Sequence, residues 1–191
     1  LGEAIIDKGK TLYGAGTEVN DALISRLNRY DVLCITVMED IDLATTHYEK
    51  IRFDDGFRTF EMVYPLLLNQ YKTIMKQFLY TGVTPADNEL LSVYYELYSQ
   101  IPSGAVLLDY LYNLMPNEDE LTYTHSLNAA LLAGTFADWM GMDEENKNTL
   151  ILCGFYYDIG KLQLPYQILW KPDALTPEEY EMVKKHPIIG Y

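Results

Sequence analysis

The 191 residues are enough for one or two small domains with a real core, and the 49% hydrophobic content belongs to a folded chain rather than a disordered one. The net charge of −14 argues against a nucleic-acid polymer or an anionic membrane as general partner. No apolar run approaches the ~20 residues of a membrane span, and no basic-then-apolar leader opens the chain.

Residues 1–40 read as a small α/β module. Ala4–Asp7 and Thr11–Tyr13 are β-prone around Lys8-Gly9-Lys10, a hairpin pattern. Asn20 or Asp21 caps a helix to Tyr30, with Leu23, Leu27 and Tyr30 on one face. Val32–Val37 reads as a buried strand. The module carries no chemistry and is expected to dock or pack. Cys34 and Cys153 lie in apolar runs far apart and read as buried thiols of a reducing compartment, which points to a cytoplasmic location. The chain opens on Leu1 rather than Met, so further residues are expected before it.

Residues 41–118 read as a helical connecting region. Met38–Asp42 is an acidic connector, His47 a surface residue, and Asp54-Asp55-Gly56 a turn with too few carboxylates for a calcium loop. Phe60, Val63, Leu67, Tyr71, Ile74 and Phe78 recur at helical spacing from about Phe57 to Leu79. Pro65 is expected to start or kink that helix, and Thr81-Gly82 to end it. Thr84-Pro85-Ala86-Asp87 suggests a capping box opening a helix to about Gln100, with Leu90, Tyr94, Leu97 and Ile101 inward. A further helix covers about Ala105–Met115. Tyr94, Tyr95, Tyr98, Tyr110 and Tyr112 fall at helical spacing and read as core and rim packing rather than a stacking surface.

Residues 119–191 hold the chemistry. After the acidic loop Asn117–Glu120, a helix capped by Thr122 or Thr124 carries His125 and then the small residues Ala129, Ala130, Ala133, Gly134 and Ala137, which admit a close neighbour. Gly141 ends it, and Asp143 caps the next helix, which leads to Tyr157-Asp158. Thr176-Pro177-Glu178-Glu179 is a capping box for a last helix to Lys185, and Pro187 disfavours helix at His186. Asp158 offers two carboxylate oxygens to metal ions, and Lys161 offers a mobile ammonium to a phosphate. Lys171, Lys184 and Lys185 add local positive charge, although most such lysines are simply solvated. His125, Asp158 and His186, on three successive helical segments, suit a metal site inside a helical bundle.

Thr124-His125-Ser126, Tyr157-Asp158-Ile159-Gly160-Lys161, Leu164-Pro165, Ile168-Leu169, Lys171-Pro172, Leu175-Thr176, Glu178-Glu179, His186-Pro187 and Gly190-Tyr191 follow one order and spacing. This pattern resembles the HD-GYP branch of the HD phosphohydrolase superfamily, whose members hydrolyse cyclic di-GMP. The resemblance implies a mainly α fold: an HD-type helical bundle, here with a small N-terminal α/β segment. It implies His125, Asp158 and His186 as ligands of iron, manganese or zinc, with Asp158 bridging, Asp158 and Lys161 catalytic, and Lys161 holding substrate phosphate. The chain departs from the family at Tyr157, which stands where the defining doublet has histidine. The family's later histidines and Gly-Tyr-Pro motif are expected beyond Tyr191.

A phenol with a pKa near ~10 is a poor ligand for a divalent ion at neutral pH, where imidazole offers a lone pair. Metal affinity is therefore expected to be weakened or lost, with the phenol left to fill the ligand's place and bond Asp158. Three readings stand. The first is a degenerate HD-GYP-like signalling domain with weak or no hydrolysis. The second is an active metal-dependent cyclic di-nucleotide phosphodiesterase completed beyond Tyr191. The third is a helical protein-interaction module. The corresponding partners are a cyclic di-nucleotide, signalling proteins, or a second copy of the chain.

Overall fold

The computed structural model describes residues 4–7, 10–14, 16–30, 32, 35, 37, 46–114, 121–169, 171 and 173–191. The chain divides into two compact units, Leu1–Lys50 and Ile51–Tyr191. Cys34, the connector Met38–Asp42 and the acidic loop Asn117–Glu120 lie outside the described residues.

In the first unit, β1 (Ile5–Asp7) pairs antiparallel with β2 (Lys10–Tyr13), Ile5 opposite Tyr13, with an irregularity between Ile5 and Ile6. Helix α1 (Asp21–Leu27) follows, its Leu23 N–H donating to the Asn20 side chain at 3.0 Å. The helix stops earlier than its apolar spacing suggests. Asn28–Tyr30 tighten into a 3-10 turn, and Tyr30 is exposed instead of sharing the inner face. Leu23 and Leu27 are buried against Ile5, Tyr13, Val19, Val32 and Ile35. None of the described residues of the expected strand, Val32, Ile35 and Val37, is in a strand.

The second unit is helical. It takes only the last residue of α2 (His47–Ile51) and comprises α3 (Asp55–Thr81), α4 (Asp87–Tyr98), α5 (Gly104–Asn113), α6 (Leu121–Trp139), α7 (Glu144–Tyr156), a 3-10 segment Ile159–Gln163, α8 (Tyr166–Leu169), α9 (Pro177–Val183) and α10 (His186–Gly190). No described helix is long and apolar enough to cross a membrane.

Helix α3 is continuous through Pro65. Pro65 and Glu61, whose carbonyl loses its partner, both lie on the exposed face. The inner face places Phe57, Phe60, Tyr64, Leu67, Leu68, Tyr71 and Met75 in the core. Asp54 is not part of a turn but the cap of this helix. Its Oδ1 accepts from the Phe57 N–H at 2.9 Å and from the Tyr110 hydroxyl at 2.8 Å. Gly82, at φ 69°, ends the helix in the left-handed conformation. The capping box foreseen at Thr84 does not form: Ala86 occupies the cap with no side-chain bond, and Asp87 and Glu89 meet the positive first turn instead. Tyr94 and Tyr110 are core residues, whereas Tyr112 is exposed.

Two close approaches set the bundle. A Cβ at Gly134 would overlap the Tyr94 ring, so α4 lies directly on α6. A Cβ at Gly154 would stand 2.6 Å from Ala130 Cα, so α7 lies on α6 almost backbone to backbone. Gly141, at φ 65°, turns the chain between α6 and α7, and Asp143 caps α7 through the Asn146 N–H at 2.9 Å. In such a returning pair, His125 and Asp158 stand at the same end, each little more than a turn beyond the Ala130–Gly154 contact. Thr122 and Thr124 lie within α6 and do not cap it. Cys153 is exposed rather than buried, because Ile151, Gly154 and Phe155 take the inner face of α7.

Asp54 gives a test of this frame. Its bond from Phe57, then that from Tyr110, holds its carboxyl below the ordinary value of 3.8. Burial, then the Asp54 carboxylate, pushes the Tyr110 phenol up to about 12. A depressed carboxyl stabilises the fold above its unfolded pKa, and that contribution fades as pH falls through the folded value. Asp54→Ala should therefore lose about 1–2 kcal/mol in urea unfolding at pH 7. The gap to the parent should narrow below pH 3.8. A gap independent of pH would show that the carboxylate charge is not what caps α3.

Candidate functional site

Helix α7 is capped by Tyr157, and the chain turns at Asp158 (φ −109°, ψ 7°) into the 3-10 segment. That turn carries the Asp158 carboxylate inward, where it is 2% exposed. Three side chains surround it. Lys161 Nζ donates to Oδ2 at 2.6 Å. His125 Nε2 lies 3.4 Å from Oδ2, and His186 Nε2 lies 3.3 Å from Oδ1. The histidines of α6 and α10 thus address opposite oxygens of one carboxylate.

His186 arrives through a backbone crossing. A Cβ at Gly160 would overlap the His186 carbonyl oxygen and stand 2.8 Å from Gly190 N. Only glycine lets the 3-10 segment meet α10 this closely. His186 itself begins α10, contrary to the expectation from Pro187. A proline in the first turn costs no helical hydrogen bond, because that N–H would be unpaired anyway.

The His186 tautomer follows from its second nitrogen. Nδ1 is 2.7 Å from the Val183 carbonyl oxygen, which only accepts, so Nδ1 carries the hydrogen. Nε2 then faces Oδ1. Two lone pairs at that separation repel unless a proton or a metal ion lies between them. Metal-ligating histidines are oriented by this kind of outer hydrogen bond.

The donor set fits a divalent ion in part. Two donors about 2.1 Å from a tetrahedral ion stand roughly 3.4 Å apart, and both imidazole–carboxylate edges have about that spacing. The edges diverge, however. Among the described residues no group of three or more His, Cys, Asp or Glu is placed around one ion. The Lys161 ammonium also already holds Oδ2. Tyr157 is half-exposed, its ring tilted 58° against that of His125 with centroids 5.3 Å apart.

A cavity of about 360 Å³ opens beside this cluster. Thr122, His125, Asp158, Lys161, Lys171 and Asp173 supply its polar lining, and Leu121, Ile168, Leu169, Leu175 and Val183 its apolar wall. Its size is near the lower end for small-molecule sites. Lys171 donates to Glu179 Oε2 at 2.6 Å, and Lys184 pairs with Glu181 at 2.5 Å. Sequence reasoning did not find Asp173, the apolar wall or the Glu179 partner of Lys171. The Thr176–Glu179 capping box was the available signal for the last of these.

The HD domain family model matches residues 109–191. A cyclic di-GMP phosphodiesterase of Thermotoga maritima is 38% identical over 85 residues, 44% of this chain and 23% of the relative. The 3'3'-cGAMP-specific phosphodiesterase 1 of Vibrio cholerae is 35% identical over 74 residues, 39% of this chain and 17% of the relative. The cyclic di-GMP phosphodiesterase PdeB of Borreliella burgdorferi is 42% identical over 69 residues, 35% of this chain and 18% of the relative. The chain therefore spans a quarter or less of these relatives' length. No solved structure matches. The similarity to an HD domain read from the motifs is borne out, as is the mainly helical fold.

The tautomer is directly testable. Nitrogen-15 spectra should show His186 Nδ1 protonated across the neutral range, and a spectrum with only Nε2 protonated would break the link to Val183.

Proposed function

We propose that the HD domain of residues 109–191 binds an anionic nucleotide, with cyclic di-nucleotides the first candidates, and that hydrolysis by this chain is weak or absent. The names of the relatives supply the ligand class. One observation supports weak or absent hydrolysis: the Lys161 ammonium sits on Asp158 Oδ2, an oxygen that a metal ion would need. The position of Tyr157, half-exposed against His125, supports the same reading. His125, Asp158 and His186 are the residues that would hold iron, manganese or zinc. Bound there, the ion would supply Lewis-acid activation of water at neutral pH. With two donors per edge, its hold would be weak.

This chain's own residues then bind and orient. Lys161 keeps its bond to Asp158 and offers a second N–H to a ligand phosphate, since an ammonium carries three donors. The apolar wall excludes water along one side of the ligand. The output is regulatory, through signalling proteins or a second copy of the chain. A working phosphodiesterase is the second reading, favoured by the ligand-like spacing of both histidine–carboxylate edges.

Tyr157→His separates the two. On the first reading the substitution raises manganese affinity in titration calorimetry, while the parent binds manganese weakly and leaves cyclic di-GMP intact. Parent turnover well above that of a His125→Ala control would establish the second. Equal manganese affinity in parent and variant would remove Tyr157 from the ligand position altogether.

A further inference from the structure

We infer that Lys171 is a second anion-binding group of the cavity and that Glu179 holds it in reserve as an internal competitor of the ligand. The inference rests on the reading of this cavity as a site for an anionic nucleotide. Lys161 and Lys171 both line the cavity, and both ammonium groups are engaged by carboxylates of the chain itself, Asp158 and Glu179, at 2.6 Å each. Asp173 adds a further negative charge to the lining. An incoming phosphate therefore meets a cavity whose cations are already neutralised.

Glu179 has two tasks that separate cleanly. Its Oε2 accepts from the Thr176 N–H at 2.7 Å, and its own N–H donates to Thr176 Oγ1 at 3.2 Å, which closes the capping box of α9. A glutamine serves that box equally well, because the cap needs an acceptor oxygen and not a charge. The charge is spent on Lys171. The Lys171 hydrogen bond, followed by the Thr176 N–H, holds the Glu179 carboxyl below the usual range. Lys171 and Glu179 are 25% and 27% exposed, so water screens the pair and lowers the cost of exchanging its partner. The ligand class is a molecule with two anionic groups, as the two phosphates of a cyclic di-nucleotide are: one for Lys161, the other for Lys171.

The test uses the full chain and cyclic di-GMP as probe, in titration calorimetry. It compares the parent, Glu179→Gln, Lys171→Gln and the double variant, with thermal melts confirming that each is folded. Glu179→Gln should bind about two- to fivefold tighter, the range set by the worth of exposed ion pairs. Lys171→Gln should bind more weakly than the parent, and in its background Glu179→Gln should bring no gain. If the parent binds and Glu179→Gln changes nothing, the inference is wrong and the binding reading stands. Tightening by Glu179→Gln that persists in the Lys171→Gln background also overturns it, since the competition would not act through Lys171. If no protein of the four binds, both fall.

Discussion

A buried carboxylate needs positive charge, and Asp158 is the group around which the second unit's last third is arranged. An anion that is 2% exposed has lost most of its water, and the protein must replace it. It does so with an ammonium three residues on, while imidazoles from α6 and α10 stand 3.4 and 3.3 Å from its two oxygens, where a proton or a metal ion would join them to it. Each arrival depends on a local feature of the chain. The turn after α7 aims Asp158 inward, the Ala130–Gly154 contact brings His125 level with it, and the Gly160 crossing admits α10.

The cluster stands on a rigid support. Phe155 is in the core, and its carbonyl accepts from the buried Tyr71 hydroxyl of α3 at 2.7 Å. The Tyr64 hydroxyl donates to Asn128 of α6 at 2.6 Å, so α3 grips both helices that lead to the site. On the far side, Lys147 of α7 donates to Asp138 of α6 at 2.6 Å beside the rings of Tyr95 and Tyr98. A dense core transmits small displacements. The position of Asp158 is therefore set by packing well outside the cavity, while Lys161 and Lys171 on its rim remain a quarter exposed.

What could be read from the sequence was local or carried by motif register. The box at Thr176–Glu179 spans three residues and needs no tertiary information. The same holds for the caps at Asn20 and Asp143 and the glycine stops at Gly82 and Gly141. His125, Asp158 and His186 could be grouped because their motifs kept register, although spacing gave no account of the two oxygens they face. The misreadings came from competition. Thr84 lost the cap to Ala86, the inner face of α7 excluded Cys153, and Pro187 entered a first turn instead of blocking one. The Lys171–Glu179 pair joins residues eight apart across an irregular segment, where no periodicity announces a contact.

The central claim is that Lys161 stands as the resident cation of a carboxylate built to face cations. Thermal unfolding of Lys161→Met with and without manganese tests it most directly. Without the ammonium, a buried charge is left short of a partner, a change of about 3–5 kcal/mol in comparable pairs. The account predicts a variant that melts well below the parent in chelator and recovers much more than the parent when manganese is added. A variant that melts like the parent, or that manganese does not rescue, would contradict it.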